Sequence, residues 1–287
     1  MKSIYKSPKA KENVLDFYDK KLRSLGFPFN EKDVYTSYGL TRVIISGNPN
    51  GKKVVLFHGI HAGSPLTLEC IQGLQTDYQF FAIDTIGQAT KSAETSINIK
   101  DDSFAVWADE VLDELAIGKA DFIGISYGAY ILQKLIAHRP AKVGKCVLVV
   151  PSGLANGNFW ASFTKLSIPL IKFQITQKDK DLLEFVKHFI AEDDTYMFEF
   201  QKAILTGVSL DYRRPQILQP KDVEHFNNPV YLIAADNDIF FPADKVILHA
   251  QKVFKNLKEI YLLKNCKHMP HRSHFQEIEN KIKQWIG

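Results

Sequence analysis

Residues 121–130 read DFIGISYGAY, and at their centre two glycines bracket a serine: Gly124-Ile125-Ser126-Tyr127-Gly128. An apolar run of strand type leads in, and a helix-type run, YGAYILQKLIAHRP (127–140), leads out. A strand that passes straight into a helix through Gly-x-Ser-x-Gly must turn sharply. Such a turn holds the serine in a strained backbone conformation with its hydroxyl exposed. The flanking glycines remove Cβ atoms where strand and helix approach, and the helix N-terminus supplies free N–H groups and partial positive charge. Chance produces the pattern in roughly one chain in twenty of this composition, so the surrounding segments must decide what it means.

Outward from Ser126 the chain alternates. KKVVLFHG (52–59), YQFFAID (78–84), DFIGI (121–125), KCVLVVPS (145–152), PVYLIAAD (229–236) and KEIYLLKN (258–265) read as buried strands. Helical patterns fall between them at 65–75, 103–118, 127–140 and 243–255, and a last one runs from about 273 to 285. This rhythm implies an α/β protein, a mostly parallel sheet covered by helices on both faces. Ahead of it lie an amphipathic helix at 10–25 and a β-meander with turns at Tyr38-Gly39 and 47–51. The alternation breaks between residues 153 and 221, where helix-like pieces are interrupted at Pro169 and Pro215. An α-helical insertion between two strands of one sheet is the economical reading.

Composition excludes several classes. With 36 Lys and Arg against 32 Asp and Glu, the net charge is +4, and no basic tract with interleaved aromatics suggests nucleic acid. The longest apolar runs, VLVV and VYLIAA, are too short for stable membrane insertion. Three cysteines without Cys-x-x-Cys spacing fit neither a disulfide framework nor a zinc site, so a reducing, cytoplasmic setting is expected.

A serine nucleophile needs a base, an acid to orient it and an oxyanion hole, all at the carboxyl ends of the strands. After strand 52–57 come His58-Gly59-Ile60, where the Ile60 N–H pairs with that of Tyr127 as oxyanion donor and His58 braces the loop. Two acids, Asp236 and Asp238, follow strand 229–235. Either is also a common turn former, and Asp238, deeper in the loop, is the favoured triad acid. His268, between strand 258–265 and the last helix, is the favoured base, with His271 and His274 assigned to the surface. The order Ser126, Asp238, His268 is that of the nucleophile-elbow fold.

On these motifs the chain resembles the α/β-hydrolase superfamily, specifically its lidded serine hydrolases of carboxylesterase or monoacylglycerol-lipase type. The resemblance runs from about residue 34 to the end. It includes Ala235-Asp236-Asn237-Asp238, Lys267-His268-Met269-Pro270 and the loop from Asp84-Thr85-Ile86-Gly87 to Ser92. Ala89 and Ala235 stand where that family commonly has glycine, and the Asp84 loop is one residue longer. The resemblance implies a core of residues 1–152 and 222–287 with a helical cap at 153–221. It implies a small-molecule ester substrate, a monomer or homodimer, and neither metal nor organic cofactor. Phe159 and Trp160 of the cap and Phe240 beside the acid are the expected substrate-binding residues, with Phe241 next to them. Carbon–carbon bond hydrolases, thioesterases, perhydrolases and non-catalytic small-molecule receptors share the fold and stand as alternatives.

Overall fold

The structure, a computed structural model, describes residues 3–211 and 213–287. In chain order its elements are α1 (Pro8–Ser24), β1 (Phe29–Thr36), β2 (Gly39–Gly47), β3 (Lys52–Phe57), α2 (Gly63–Glu69), β4 (Tyr78–Ile83), α3 (Ser103–Glu114), β5 (Ala120–Ile125), α4 (Tyr127–His138) and β6 (Val143–Val149). There follow α5 (Phe159–Ser162), α6 (Ile168–Thr176), α7 (Asp179–Val186), α8 (Thr195–Gly207), β7 (Val230–Ala235), α9 (Ala243–Val253), β8 (Leu257–Leu263) and α10 (Phe275–Ile286).

Eight strands make one sheet in the order β1-β2-β4-β3-β5-β6-β7-β8. The β1–β2 hairpin and the β2–β4 pairing are antiparallel, and every pairing from β4 to β8 is parallel. Successive side chains of a strand point to opposite faces, and here both faces are covered. Val54 and Leu56 of β3 join Leu22 (α1), Leu68 (α2) and Ile282 (α10) on one side. Val55 and Phe57 join Trp107 (α3), Ile131 (α4) and Ala250 (α9) on the other. That two-sided burial is why the central strands read as unbroken apolar runs.

Two sequence-based boundaries shift for local reasons. The helix expected over 103–118 ends at Glu114, because Ala116 takes a left-handed conformation (φ 53°). The N–H groups of Ala116 and Ile117 then bond the carbonyls of Asp113 and Leu112, so the stop needs no glycine. Pro169 does not interrupt the inserted helix. The turn Phe163–Ser167 widens so that the Ile168 N–H bonds the Phe163 carbonyl, and α5 passes through it into α6 with Pro169 in the first turn.

The segment between β6 and β7 packs above the carboxyl ends of the strands and also binds the N-terminus. Tyr5 and Val14 share an apolar cluster with Phe173, Leu182 and Phe200. The Lys6 N–H donates to the Gly207 carbonyl and the Ser209 N–H to the Ile4 carbonyl. Among the described residues, no helix is long and apolar enough to cross a membrane.

Candidate active site

The parallel strands end in register. Phe57 of β3 lies opposite Gly124 of β5, Ile125 opposite Val149 of β6, Val149 opposite Ile233 of β7, and Ala235 opposite Leu263 of β8. The chain leaves β3 toward β4 on one side and β5 lies on the other, so the order reverses where the loops after β3 and β5 diverge. Ligands of open α/β sheets bind at such a switch point. Each candidate residue follows one of these ends within a few positions.

Ser126 connects β5 directly to α4 with φ 52° and ψ −113°, a conformation that costs a non-glycine residue on the order of 1–3 kcal/mol. Hydrogen bonds hold it there. Its N–H donates to the Val149 carbonyl, and its own carbonyl accepts from the N–H groups of Ala129 and Ser152 and from the Ser152 hydroxyl. The flanking glycines are required by contact. A Cβ on Gly124 would sit 2.6 Å from the Ala129 Cα, and one on Gly128 would collide with the Phe57 carbonyl and lie 2.8 Å from the His58 oxygen. Helix α4 therefore starts against the end of β3.

The Ser126 Oγ is 2.9 Å from Nε2 of His268, and His268 Nδ1 is 2.7 Å from Oδ2 of Asp238. A carboxylate only accepts, so Nδ1 carries the proton and Nε2 is free to accept from the serine hydroxyl. Asp238 is buried, and its second oxygen accepts the N–H groups of Phe240 and Phe241 at 2.8 and 3.0 Å. Those two rings stand edge-on to the imidazole at 5.0 and 5.2 Å between centroids, which fixes its plane. Asp236, the other candidate acid, points elsewhere. Its carboxylate receives the N–H groups of Asn265 and Cys266, and despite some desolvation these bonds hold its pKa below the usual range. It braces the chain as it leaves β8.

The loop after β3 comes close to Ser126, with a Cβ built on Gly59 lying 3.6 Å from that of Ser126. Tyr127 is the first residue of α4, so its N–H has no acceptor within the helix. His58 donates from Nδ1 to the Gly59 carbonyl and accepts the Thr85 N–H at Nε2. Burial pushes its pKa down, so it ties two loops together as a neutral ring. Asp84 extends the brace by accepting from the Ser64 N–H and hydroxyl and from the Lys91 N–H.

Above Ser126 and His268 lies a cavity of about 780 Å³. Leu166, Leu170, Phe189, Phe200 and Phe240 give it an apolar wall. Phe159 and Trp160 are not in that wall. They are 61% and 69% exposed on α5, because the cavity side of that helix is formed by Ser162 and Leu166 one turn on. His271 lines the cavity, whereas His274 does not.

Three lining features were not read from sequence. Lys21, carried in by α1, is buried against Glu69 at 2.8 Å and lies 3.8 Å over the Tyr196 ring, while Arg272 binds the same carboxylate. Near Tyr127, Asp211 pairs with Arg213, which also reaches the Ile97 carbonyl. His61, with φ 54°, accepts the Ala89 N–H at Nδ1 and has its other ring nitrogen buried without a partner. Burial and the neighbouring His58 pull its pKa down to about 4 against an opposing pull from Asp211. His61, Ser126 and Val150 are three of the six non-glycine residues with positive φ among those described, and all three line the cavity. An isolated histidine in a loop gives no sequence signal for such a conformation.

The chain is similar in sequence and shape to known proteins. A family model described as the alpha/beta hydrolase fold matches residues 52–167. An uncharacterized carboxylesterase nap of Bacillus subtilis (strain 168) is 22% identical over 276 residues, covering 91% of this chain and 89% of the relative. Carboxylesterase YbfK of the same organism is 27% identical over 146 residues, 50% of this chain and 49% of the relative. Among solved structures, naproxen esterase (carboxylesterase NP) from Bacillus subtilis superposes with a TM-score of 0.83 at 17% identity, covering 98% of this chain and all of the other. Carboxylesterase CesB (YbfK) from the same organism gives 0.82 at 18% identity over 97% and 98% of the two chains. The chain therefore has the α/β-hydrolase fold throughout, and the family model matches it over residues 52–167.

Proposed function

We propose that this protein is a serine hydrolase that cleaves carboxylic esters of small, apolar substrates through an acyl-enzyme. The observation that carries the reading is the series Ser126–His268–Asp238, hydrogen-bonded on a strained strand–helix turn that opens into an apolar cavity. Ser126 Oγ attacks the ester carbonyl as His268 Nε2 takes its proton. Asp238 holds the imidazole in the required tautomer and stabilises the imidazolium. The N–H groups of Ile60 and Tyr127 receive the oxyanion, a contribution of about 3 kcal/mol per donor in comparable sites. His268 returns the proton to the leaving alcohol, and water, activated by the same imidazole, releases the acid.

Residues 153–221 act as a cap whose inner face selects the acyl or alcohol group, with Phe240 in the wall. The three cysteines are free and buried, which suits a reducing, cytoplasmic setting. That the relatives in sequence are called carboxylesterases favours ester cleavage over carbon–carbon cleavage or a receptor role.

The test is hydrolysis of p-nitrophenyl esters from acetate to decanoate by the wild type and by Ser126→Ala. Turnover with a pre-steady-state burst, lost by a factor of at least about 10⁴ in the variant, is the expected result. Equal turnover by both proteins refutes the assignment of Ser126.

A further inference from the structure

Six of the ten large apolar side chains that are exposed among the described residues lie on one helical run. They are Phe159, Trp160, Phe163, Ile168, Ile171 and Ile175 of α5, the wide turn and α6. Their exposures run from 43% to 77%. The spacing from Trp160 is three, five, three and four residues. The five-residue step would swing Ile168 away from Phe163 in a regular α-helix. It coincides with the turn in which the Ile168 N–H bonds the Phe163 carbonyl, and that extra residue returns Ile168 to the same face. The wide turn thus keeps one apolar stripe continuous over residues 159–176. At its start Phe159, Trp160 and Phe163 form an aromatic cluster with centroids 5.5–6.4 Å apart.

The other side of the same helix is the cavity wall, through Ser162, Leu166, Leu170 and Gln174, with Ile171 at the rim, exposed to solvent and also lining the cavity. The helix is therefore apolar on its inner side, toward the cavity, and again on its outer side, toward solvent. Residues 153–178 include Lys165, Lys172 and Lys178 and no acidic residue. All three lysines are exposed, with Lys172 also paired to Asp181 from the neighbouring α7.

We propose that this outer face seats the protein on an anionic phospholipid surface. The stripe would enter the acyl boundary, Trp160 the interfacial zone, and the lysines the headgroup layer. Charge decides between a lipid surface and a second copy of the chain. Lys172 is offset by Asp181, but a two-fold pairing of this face would bring Lys165 and Lys178 of two stripes together with no acid in either stripe to offset them, whereas an anionic surface complements them. The helix lies on the surface and does not span it, since it has 18 residues with three polar interruptions on the outer side at Thr164, Lys165 and Lys172. Adsorption requires no hydrolase chemistry. Only its consequence, that esters pass from the lipid phase past this helix into the cavity, rests on the function proposed above.

The test uses the full chain with vesicles of phosphatidylcholine and phosphatidylglycerol in equal parts. Of the three tryptophans, Trp107 and Trp285 are buried, so a blue shift of emission on adding vesicles reports Trp160 in the unmodified protein. A blue shift and co-flotation are expected, weaker with phosphatidylcholine alone and weakened by salt. The variant Phe163→Ser/Ile168→Ser/Ile175→Ser, which alters no cavity-lining residue, is expected to bind at least about tenfold more weakly and to hydrolyse soluble p-nitrophenyl acetate normally. Ser126→Ala is expected to bind vesicles as the wild type does, so failure of adsorption and failure of the proposed chemistry are read separately. Absence of a blue shift and of flotation in the wild type, or equal flotation of the triple variant, overturns the proposal. So does a wild-type dimer in sedimentation that the triple variant dissociates while vesicles bind neither.

Discussion

Asp238→Asn is the substitution whose outcome the geometry constrains most tightly. One Asp238 oxygen receives two backbone N–H groups, from Phe240 and Phe241, and the other receives the His268 Nδ1–H at 2.7 Å. An asparagine has a single carbonyl oxygen for these three donors. Turning its NH₂ toward the two backbone N–H groups opposes three donors, so the oxygen stays there and the NH₂ faces Nδ1. The imidazole must then present Nδ1 as acceptor and carry its proton on Nε2. A protonated Nε2, 2.9 Å from the Ser126 Oγ, cannot accept the hydroxyl proton, and the imidazolium of the transition state loses its counter-charge. The expected loss is on the order of 10⁴ in kcat, about 5.5 kcal/mol of barrier. KM should change little, since Asp238 is not in the cavity lining. Steady-state kinetics on p-nitrophenyl butyrate read the rate, and thermal unfolding establishes that the variant is folded. Asp236→Asn is the control. It weakens the bonds to Asn265 and Cys266, lowers Tm modestly, and leaves kcat within about tenfold. Retention of more than a tenth of kcat by Asp238→Asn, or abolition by Asp236→Asn alone, refutes the reasoning.

Gly128→Ala forces a methyl group into the end of β3 and is expected to cost more than about 3 kcal/mol or prevent folding, whereas Gly118→Ala, with open space around it, should change stability by less than about 0.5 kcal/mol. Urea unfolding of the pair checks this. His61 stays neutral in the folded protein down to about pH 4, while the unfolded chain takes up its proton near 6.5. Its contribution, about 3 kcal/mol, is thus fully present above pH 6.5 and is lost as pH falls toward 4. In His61→Asn the amide oxygen can replace Nδ1 and asparagine tolerates the positive φ, so a shallower loss of stability between pH 6.5 and 4 is expected; an unchanged slope contradicts the assignment. Leu170→Trp narrows the cavity and should lower kcat/KM for decanoate esters at least about tenfold relative to acetate. An unaltered chain-length profile would show that substrates do not occupy that wall.

The parts of the site legible in sequence are those tied to strand ends. Buried parallel strands announce themselves as apolar runs, and the residues just beyond them fall at one edge of the sheet, which places Ser126, Asp238 and His268 near one another. The turn glycines follow from the contacts that a strand–helix elbow demands. What sequence did not convey depends on direction or on distant packing. Apolar residues at 159 and 160 indicate a helix with something to bury, but composition does not say which face meets the cavity, and the wide turn at Phe163–Ser167 changes the register on which a periodicity argument relies. Lys21 reaches the cavity because α1 packs against the base of the inserted helices, a long-range contact with no local signal. Ala116 ends a helix in a role that sequence rules assign to glycine.

The central claim is that Ser126 is the attacking group, and covalent trapping tests it most directly. Incubation with a fluorophosphonate should add one phosphonyl group per chain by intact mass, with the adduct on the peptide containing Ser126, and Ser126→Ala should remain unmodified. An unlabelled wild type, or equal labelling of the two proteins, would contradict the account.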